Sequence, residues 1–305
     1  MINKMQNMKQ NISGVLLLDK PEGLTSNQVL QKVKYLFNAK KAGHTGSLDP
    51  NATGMLAICL GEATKFSQFL LEADKRYQVV GKLGEITPSG DSETEVTERR
   101  SIEQITVERI EQALEQFRGE IWQVPPMYSA IKVQGSPLYK LARKGVMVER
   151  TPRKITMHQL ELLSYQDGLM TLDMYCSKGT YVRTIVTDLG EVLGCGAYVT
   201  KLRRLSVGPY RADQMIALEH LTAILHDEPQ EFQRLLLPIE SMLMNLPSVV
   251  VTPAMQYYLR QGNSVLAAQV PSQGLVRLVN RSDELVGVGQ VLADGKIAPC
   301  KLVRG

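Results

Sequence analysis

Only four cysteines occur in the 305 residues, Cys59, Cys176, Cys195 and Cys300, and no two of them form a C-x-x-C pair. Such scatter supports neither a zinc site nor a dithiol redox motif, so the four are read as reduced thiols. The histidines, His44, His158, His220 and His226, show no H-E-x-x-H spacing and no partnership with those cysteines. No metal is expected. Long apolar runs are missing as well. No stretch approaches the roughly 18 to 20 residues that span a bilayer, and the first thirteen residues are polar, without the apolar segment of a secretory leader. A soluble, cytoplasmic protein with no membrane partner is expected. Also absent are G-x-x-x-x-G-K-S/T, a G-x-G-x-x-G following a strand, and the G-x-S-x-G elbow. Neither a nucleoside triphosphate nor a nicotinamide is implied. Internal repeats and low-complexity tracts are lacking too.

What is present is the composition of an ordinary folded protein: 44% hydrophobic and 22% charged residues, with 24 Gly and 14 Pro. The length exceeds that at which single cores usually stop growing, so a large domain with a small one attached is expected. Net charge is only +4, but residues 85 to 120 hold ten acids and four bases. The remainder carries 31 bases against 21 acids, about +10, which suits a polyanionic partner as well as it suits a soluble protein with one acidic lobe.

Along the chain, Val15-Leu16-Leu17-Leu18 reads as a buried strand stopped by a Pro/Gly turn. A helix follows, capped by Thr25 or Ser26, with Val29, Leu30, Val33, Leu36 and Phe37 on one face. Tyr77 to Leu83 alternates as a strand, and a helix starts at Thr106 with Gly119 as its stop. Ile155 to Leu163 and Leu169 to Cys176 form a meander turning at Asp167-Gly168, after which a helix carries Tyr181 and Arg183 in its first turn and ends at Gly194. Beyond about Pro247 come short alternating runs, read as a small β-barrel with six bases and three acids. The expected division is a flexible tail over 1–13, a main domain over 14–247 and an accessory RNA-binding domain over 248–305.

The segment from Ala42 to Gly54 is too rich in Gly, Thr and Pro for a regular element. It therefore presents Asp49 on a loop between ordered elements, although local sequence alone favours an Asx-turn before Pro50. Gly43-His44-Thr45-Gly46-Ser47-Leu48-Asp49-Pro50, continued by Ala52-Thr53-Gly54-Met55-Leu56, resembles the catalytic signature of the TruB family of bacterial tRNA pseudouridine-55 synthases. Other blocks of that family stand in order: Leu17-Leu18-Asp19-Lys20-Pro21, Gly61-Glu62-Ala63-Thr64-Lys65, Asp74-Lys75-Arg76-Tyr77, Pro125 to Ala130, Cys176 to Arg183 and Leu202-Arg203-Arg204-Leu205. The resemblance runs from about residue 12 to the end.

That resemblance implies an α+β pseudouridine synthase fold, a mixed and largely antiparallel sheet flanked by helices, with a PUA-like barrel at the C-terminus. It implies an isomerase that needs no cofactor and turns uridine 55 of the tRNA T loop into pseudouridine after flipping it out. Asp49 carries over as the catalytic carboxylate and Arg183 as the cation that keeps it ionised in a closed pocket. Tyr77 carries over as the residue packing on uracil and a candidate for proton removal at C5. His44 matches a residue inserting near the flipped bases; Tyr181 and Leu202 match the uridine pocket. Lys20 and Lys65 are placed with the substrate-binding residues, as structural or phosphate-facing groups. The partner implied is tRNA, held at the T arm and, through the C-terminal domain, on the acceptor-arm side. The enzyme is expected to act as a monomer without guide RNA. Read without the resemblance, Arg183 is a solvated helix residue, Tyr77 a half-buried strand residue and His44 a solvated loop histidine. Two other functions stay open on the residues: a non-catalytic RNA-binding or RNA-folding protein, and a glycosidase pairing Asp19 with Asp49.

Overall fold

In the computed structural model, which describes residues 11–133, 135–227 and 233–304, the strand Gly14–Lys20 is buried along nearly its whole length, as its unbroken apolar run requires. It pairs antiparallel with Thr53–Leu60, from Gly14 opposite Leu60 to Lys20 opposite Gly54. The next strand inward is Ala197–Val207. It meets Thr53–Leu60 in parallel at only two positions, Arg203 with Thr53 and Arg204 with Gly54, and on its other edge pairs antiparallel with Lys75–Leu83. Leu169–Cys176, Arg153–Gln166 and Gly119–Gln123 continue the sheet, all antiparallel. Ile216–Ala217 adds in parallel to the far edge and Ala42–His44 pairs with Thr53–Leu60, giving, among the described residues, nine strands in a mixed, largely antiparallel sheet. The seam between Thr53–Leu60 and Ala197–Val207 depends on a glycine. Gly54 has φ +96°, and a Cβ there would lie 2.2 Å from the Arg204 carbonyl oxygen.

Helices cover both ends of this sheet. Thr25 caps Ser26–Leu36 in a capping box with Gln28, and Val29, Leu30 and Val33 pack with Leu218, Leu221 and Leu225 against Leu16, Leu18 and Leu56. Val182–Leu193 lays Ile185, Val186 and Leu189 over Val79 and Leu172, together with Ile110 and Leu114 of Val107–Leu114. Gly194 ends the helix in the left-handed region at φ 78°, as its sequence position suggests. The meander turns at Asp167 and Gly168, both with positive φ.

At the C-terminus the expected barrel is an open four-stranded sheet, Ser248–Val250, Gly274–Val279, Leu285–Val291 and Ile297–Leu302 in that order, with the helix Pro253–Arg260 capped by Thr252. The order does not close into a ring among the described residues; on the outer edge of the last strand, Val265 exchanges backbone hydrogen bonds with Ile297 at 2.8 and 3.0 Å. This sheet is joined to the main one. Val288 packs with Met242, Tyr210 and Val207, and Lys65 Nζ donates to the Leu302 carbonyl at 2.9 Å. Residues 1–10 of the expected tail lie outside the described residues; of the rest, Ile12 is buried and Ser13 Oγ accepts a hydrogen bond from Glu62 N at 3.0 Å. No described helix is long and apolar enough to cross a membrane.

Candidate active site

The loop carrying Asp49 is pinned by backbone contacts, which frees its side chain. Ser26 Oγ donates to the Leu48 carbonyl at 2.9 Å and accepts from Leu48 N at 2.8 Å, Gly23 N donates to the Pro50 carbonyl at 2.9 Å, and Ala52 N closes a turn on the Asp49 carbonyl at 3.1 Å. Asp49 thus sits in a turn, yet its carboxylate is engaged elsewhere. Arg183 meets it side-on, with Nε 3.0 Å from Oδ2 and Nη2 3.3 Å from Oδ1.

Arg183 belongs to the first turn of Val182–Leu193, a position where the helix dipole disfavours a cation, and its side chain is only 7% exposed. Four partners compensate. Besides Asp49, Nη1 donates to the Ser89 carbonyl at 2.8 Å and lies 3.4 Å from Asp91 Oδ2, while Nη2 donates to the Tyr128 carbonyl at 2.6 Å. Crowding by protein pushes the Asp49 carboxyl above its ordinary value; Arg183 pulls it back, and Asp91 and Glu93 push it up again. The arginine therefore opposes part of the rise that desolvation causes, and 40% of the Asp49 side chain is still exposed.

A cleft of about 320 Å³ opens across the middle of the sheet and lies within the range of small-ligand sites, about 300 to 1,000 Å³. Asp49, Tyr77, Tyr181, Arg183 and Leu202 all line it. Tyr77 stands on Lys75–Leu83 with Arg204 as its cross-strand neighbour, and burial raises its phenol while Arg204 opposes that rise. Tyr181 is the N-cap of the Arg183 helix; the Gln123 side-chain amide holds its backbone twice, accepting from Tyr181 N at 2.8 Å and donating to its carbonyl at 3.1 Å.

Three residues of this site were not singled out from sequence. Arg204 is 2% exposed and binds the loop from below, Nε to the Met55 carbonyl at 2.7 Å and Nη2 to the Gly46 carbonyl at 3.0 Å. Lys75, also in the cleft wall, gives its ammonium to the carbonyls of Leu70, Leu71 and Ala73, and burial lowers its pKa to about 8. Asp91 is the third, hidden among the acids of residues 85 to 120.

Residues 34–182 match the family described as TruB family pseudouridylate synthase (N terminal domain), residues 183–244 the tRNA pseudouridylate synthase B C-terminal domain, and residues 247–303 pseudouridine synthase II TruB, C-terminal. The chain belongs to the TruB family. It is 52% identical over 298 residues to the tRNA pseudouridine synthase B of Coxiella burnetii (strain RSA 493 / Nine Mile phase I), covering 97% of this chain and 96% of that one. To the tRNA pseudouridine synthase B of Yersinia pestis (strain Pestoides F) it is 50% identical over 302 residues, covering 96% and 93%. Among solved structures, a Cbf5-Nop10-Gar1 complex aligns with TM-score 0.73 at 27% identity, over 95% of this chain and 84% of that chain. The archaeal box H/ACA sRNP Nop10-Cbf5 complex, at 23% identity and TM-score 0.71 over 99% and 88%, shares the fold. The pseudouridine synthase fold expected from the TruB motifs is the fold observed.

The same motifs carried over three residues that do not line the cleft. Lys20 is fully buried, and its ammonium donates to the carbonyls of Pro21, Leu24 and Pro50 at 2.7 to 3.0 Å, which ties the Asp49 loop to the preceding turn. It is a structural lysine, with no surface left for a phosphate. Lys65 is turned to Glu62 and the Leu302 carbonyl, so it joins the two sheets instead of facing substrate. His44 ends the strand Ala42–His44 outside the cleft wall, with Nδ1 buried and unpartnered; burial and then Arg204 lower its pKa and favour the neutral ring. Asp19 is bound by both Arg203 terminal nitrogens at 2.7 and 2.9 Å, a structural pair that removes it from any glycosidase-like partnership with Asp49.

Proposed function

We propose that this TruB chain isomerises uridine 55 in the T loop of tRNA to pseudouridine, with Asp49 at the chemical centre. The observation that supports this most is the Arg183–Asp49 pair on the floor of a cleft that Tyr77 also lines. Inside a stacked loop C1′ is inaccessible, so the nucleotide must be flipped out at a cost of a few kcal/mol. Stacking on Tyr77, worth about 1 to 3 kcal/mol per base, offsets that cost.

The reaction breaks C1′–N1, turns the uracil and joins C1′ to C5; C5 loses its proton and N1 ends protonated, with no net redox change. A carboxylate serves both halves. Asp49 stabilises or attacks the electron-poor C1′ and later helps move the C5 proton. Arg183 assists by opposing the desolvation of that carboxylate. Burial pushes the Tyr77 phenol above its ordinary value, which fits a packing surface for uracil better than a ready base. The protein acts as a cytoplasmic monomer without guide RNA, binding the T arm in the cleft and the acceptor-arm side through residues 248–305.

Tritium release from tRNA carrying 5-tritiated uridine tests this. The intact protein should release tritium, whereas Asp49→Asn should bind the same tRNA and release none. Binding without release by either protein would leave an RNA-binding protein on the synthase scaffold.

A further inference from the structure

Three cations line or floor the cleft, and each has its donors committed to protein. Arg183 serves Asp49, Asp91 and the carbonyls of Ser89 and Tyr128; Lys75 serves three carbonyls; Arg204 serves the carbonyls of Met55, Ser47 and Gly46. Thr180 Oγ1 is likewise spent on the Ser177 carbonyl, and Ser177 Oγ accepts from Thr156 N. One buried group in the wall is not. Among the described residues five buried side-chain polar atoms lack a hydrogen-bond partner, and of their residues Ser129 alone lines the Asp49 cleft.

Ser129 is 5% exposed and rigidly placed. Its N donates to the Met127 carbonyl at 3.0 Å, its own carbonyl accepts from Tyr139 N at 3.0 Å, and the carbonyl of the preceding Tyr128 is the one clamped by Arg183. The Ser129 hydroxyl eases the rise that burial causes in the Tyr181 phenol, so the two side chains are neighbours, yet no partner meets Ser129 Oγ at hydrogen-bond geometry. A buried hydroxyl left unpaired costs about 1 to 3 kcal/mol, so a position that keeps one is explained by a ligand that pairs it.

We propose that Ser129 contacts the substrate, its hydroxyl hydrogen-bonding the imide edge of the flipped uracil, O2, N3–H and O4. This rests on the function proposed above. Asp49 is assigned to the sugar carbon and Tyr77 to the ring face, and a serine hydroxyl in the wall of the same cleft can both donate to the carbonyls of the imide edge and accept from its N3–H.

The test compares wild type with Ser129→Ala, whose backbone contacts are retained, on two T-arm RNAs: one with the target uridine and one with an abasic ribose there. The variant should lose about tenfold in kcat/KM for tritium release and in affinity for the uridine RNA, the effect of one hydrogen bond, and bind the abasic RNA as wild type does. Equal behaviour of variant and wild type on uridine RNA overturns the assignment while leaving the function intact. Weaker binding of the abasic RNA also overturns it, since the ribose or the fold would then be what Ser129 serves. A wild type that releases no tritium overturns the function, and the assignment with it.

Discussion

Asp49 and Asp91 share one guanidinium. Arg183 gives Nε and Nη2 to the first and Nη1 to the second, at 3.0, 3.3 and 3.4 Å, so the arginine is oriented by an acid outside the Asp49 loop as well as by the one inside it. Asp91 has its own support. Ser89 Oγ donates to its Oδ1 at 2.6 Å and Glu93 N at 3.0 Å, and Gly90 between them packs its turn on the Thr187 side chain. Orientation of the Asp49 carboxylate is thus fixed through a second turn of chain, and a charge pair in that setting gains geometry at the cost of desolvation.

Removing Arg183 should therefore act on ionisation and on rate more than on binding. In Arg183→Ala, burial, Asp91 and Glu93 all continue to raise the Asp49 pKa while the opposing influence is gone. Because the proposed chemistry needs the carboxylate, activity is lost as pH falls through that pKa, and the acid limb of kcat/KM must move to higher pH. Turnover should fall by about a hundredfold or more, with tRNA affinity little changed. A pH profile of tritium release for wild type, Arg183→Ala and Arg183→Lys checks this; an unmoved limb, or equal losses of turnover and affinity, would assign Arg183 to binding.

Gly54 makes the seam of the sheet, and alanine there should be far worse than at an open glycine. Its φ of +96° strains any L residue, and the added Cβ would stand 2.2 Å from the Arg204 carbonyl oxygen and 2.7 Å from Arg204 N, neither of which can yield without parting the two strands. Gly23 has a similar φ of +82° and nothing within 4 Å, so it reports the strain alone. Gly54→Ala should lower the melting temperature by roughly 10 °C, a loss of ~3 kcal/mol or more, and Gly23→Ala by a few degrees. Equal shifts in a thermal melt would mean that strain, not close approach, sets the requirement.

The contrast between these glycines and Arg204 marks how far the sequence could be read. Local signals resolved local structure: Thr25 as a cap, Asp167-Gly168 as a turn, Gly194 as a helix end, and the loop around Asp49, although both ends of the stretch read as irregular, Ala42–His44 and Thr53-Gly54, are in strands. The strand Ala197–Val207 was not legible, because bulges between Val199 and Lys201 and between Arg204 and Ser206 break the period-two alternation, and Lys201, Arg203 and Arg204 crowd its middle. Arg204 is buried only because carbonyls about 150 residues earlier receive it, which no window of sequence contains. The same reason hid Asp91, and it sent Lys20 and Lys65 inward where a lysine read alone belongs in solvent. What the TruB motifs supplied was the grouping of Asp49, Tyr77, Arg183 and Leu202, residues that spacing could not have brought together.

Lys20 carries the last prediction, on stability. Its folded pKa is lowered to about 8, chiefly by burial, with Asp49 opposing. In the unfolded chain a lysine titrates near 10.4. Below about pH 8 both states hold the proton, so this residue adds no slope; between about 8 and 10.4 the unfolded chain binds more protons, and stability must rise with pH through this group. At about 1.4 kcal/mol per unit the full rise is on the order of 3 kcal/mol. Other groups titrate in the same window, so the quantity to compare is a difference. Wild type minus Lys20→Met, from urea unfolding at pH 7.5 and 9.5, should grow more positive with pH, since only wild type has the titrating amine. A difference that stays constant would place the Lys20 ammonium in contact with water and undo the reading that it holds the Asp49 loop from within the core.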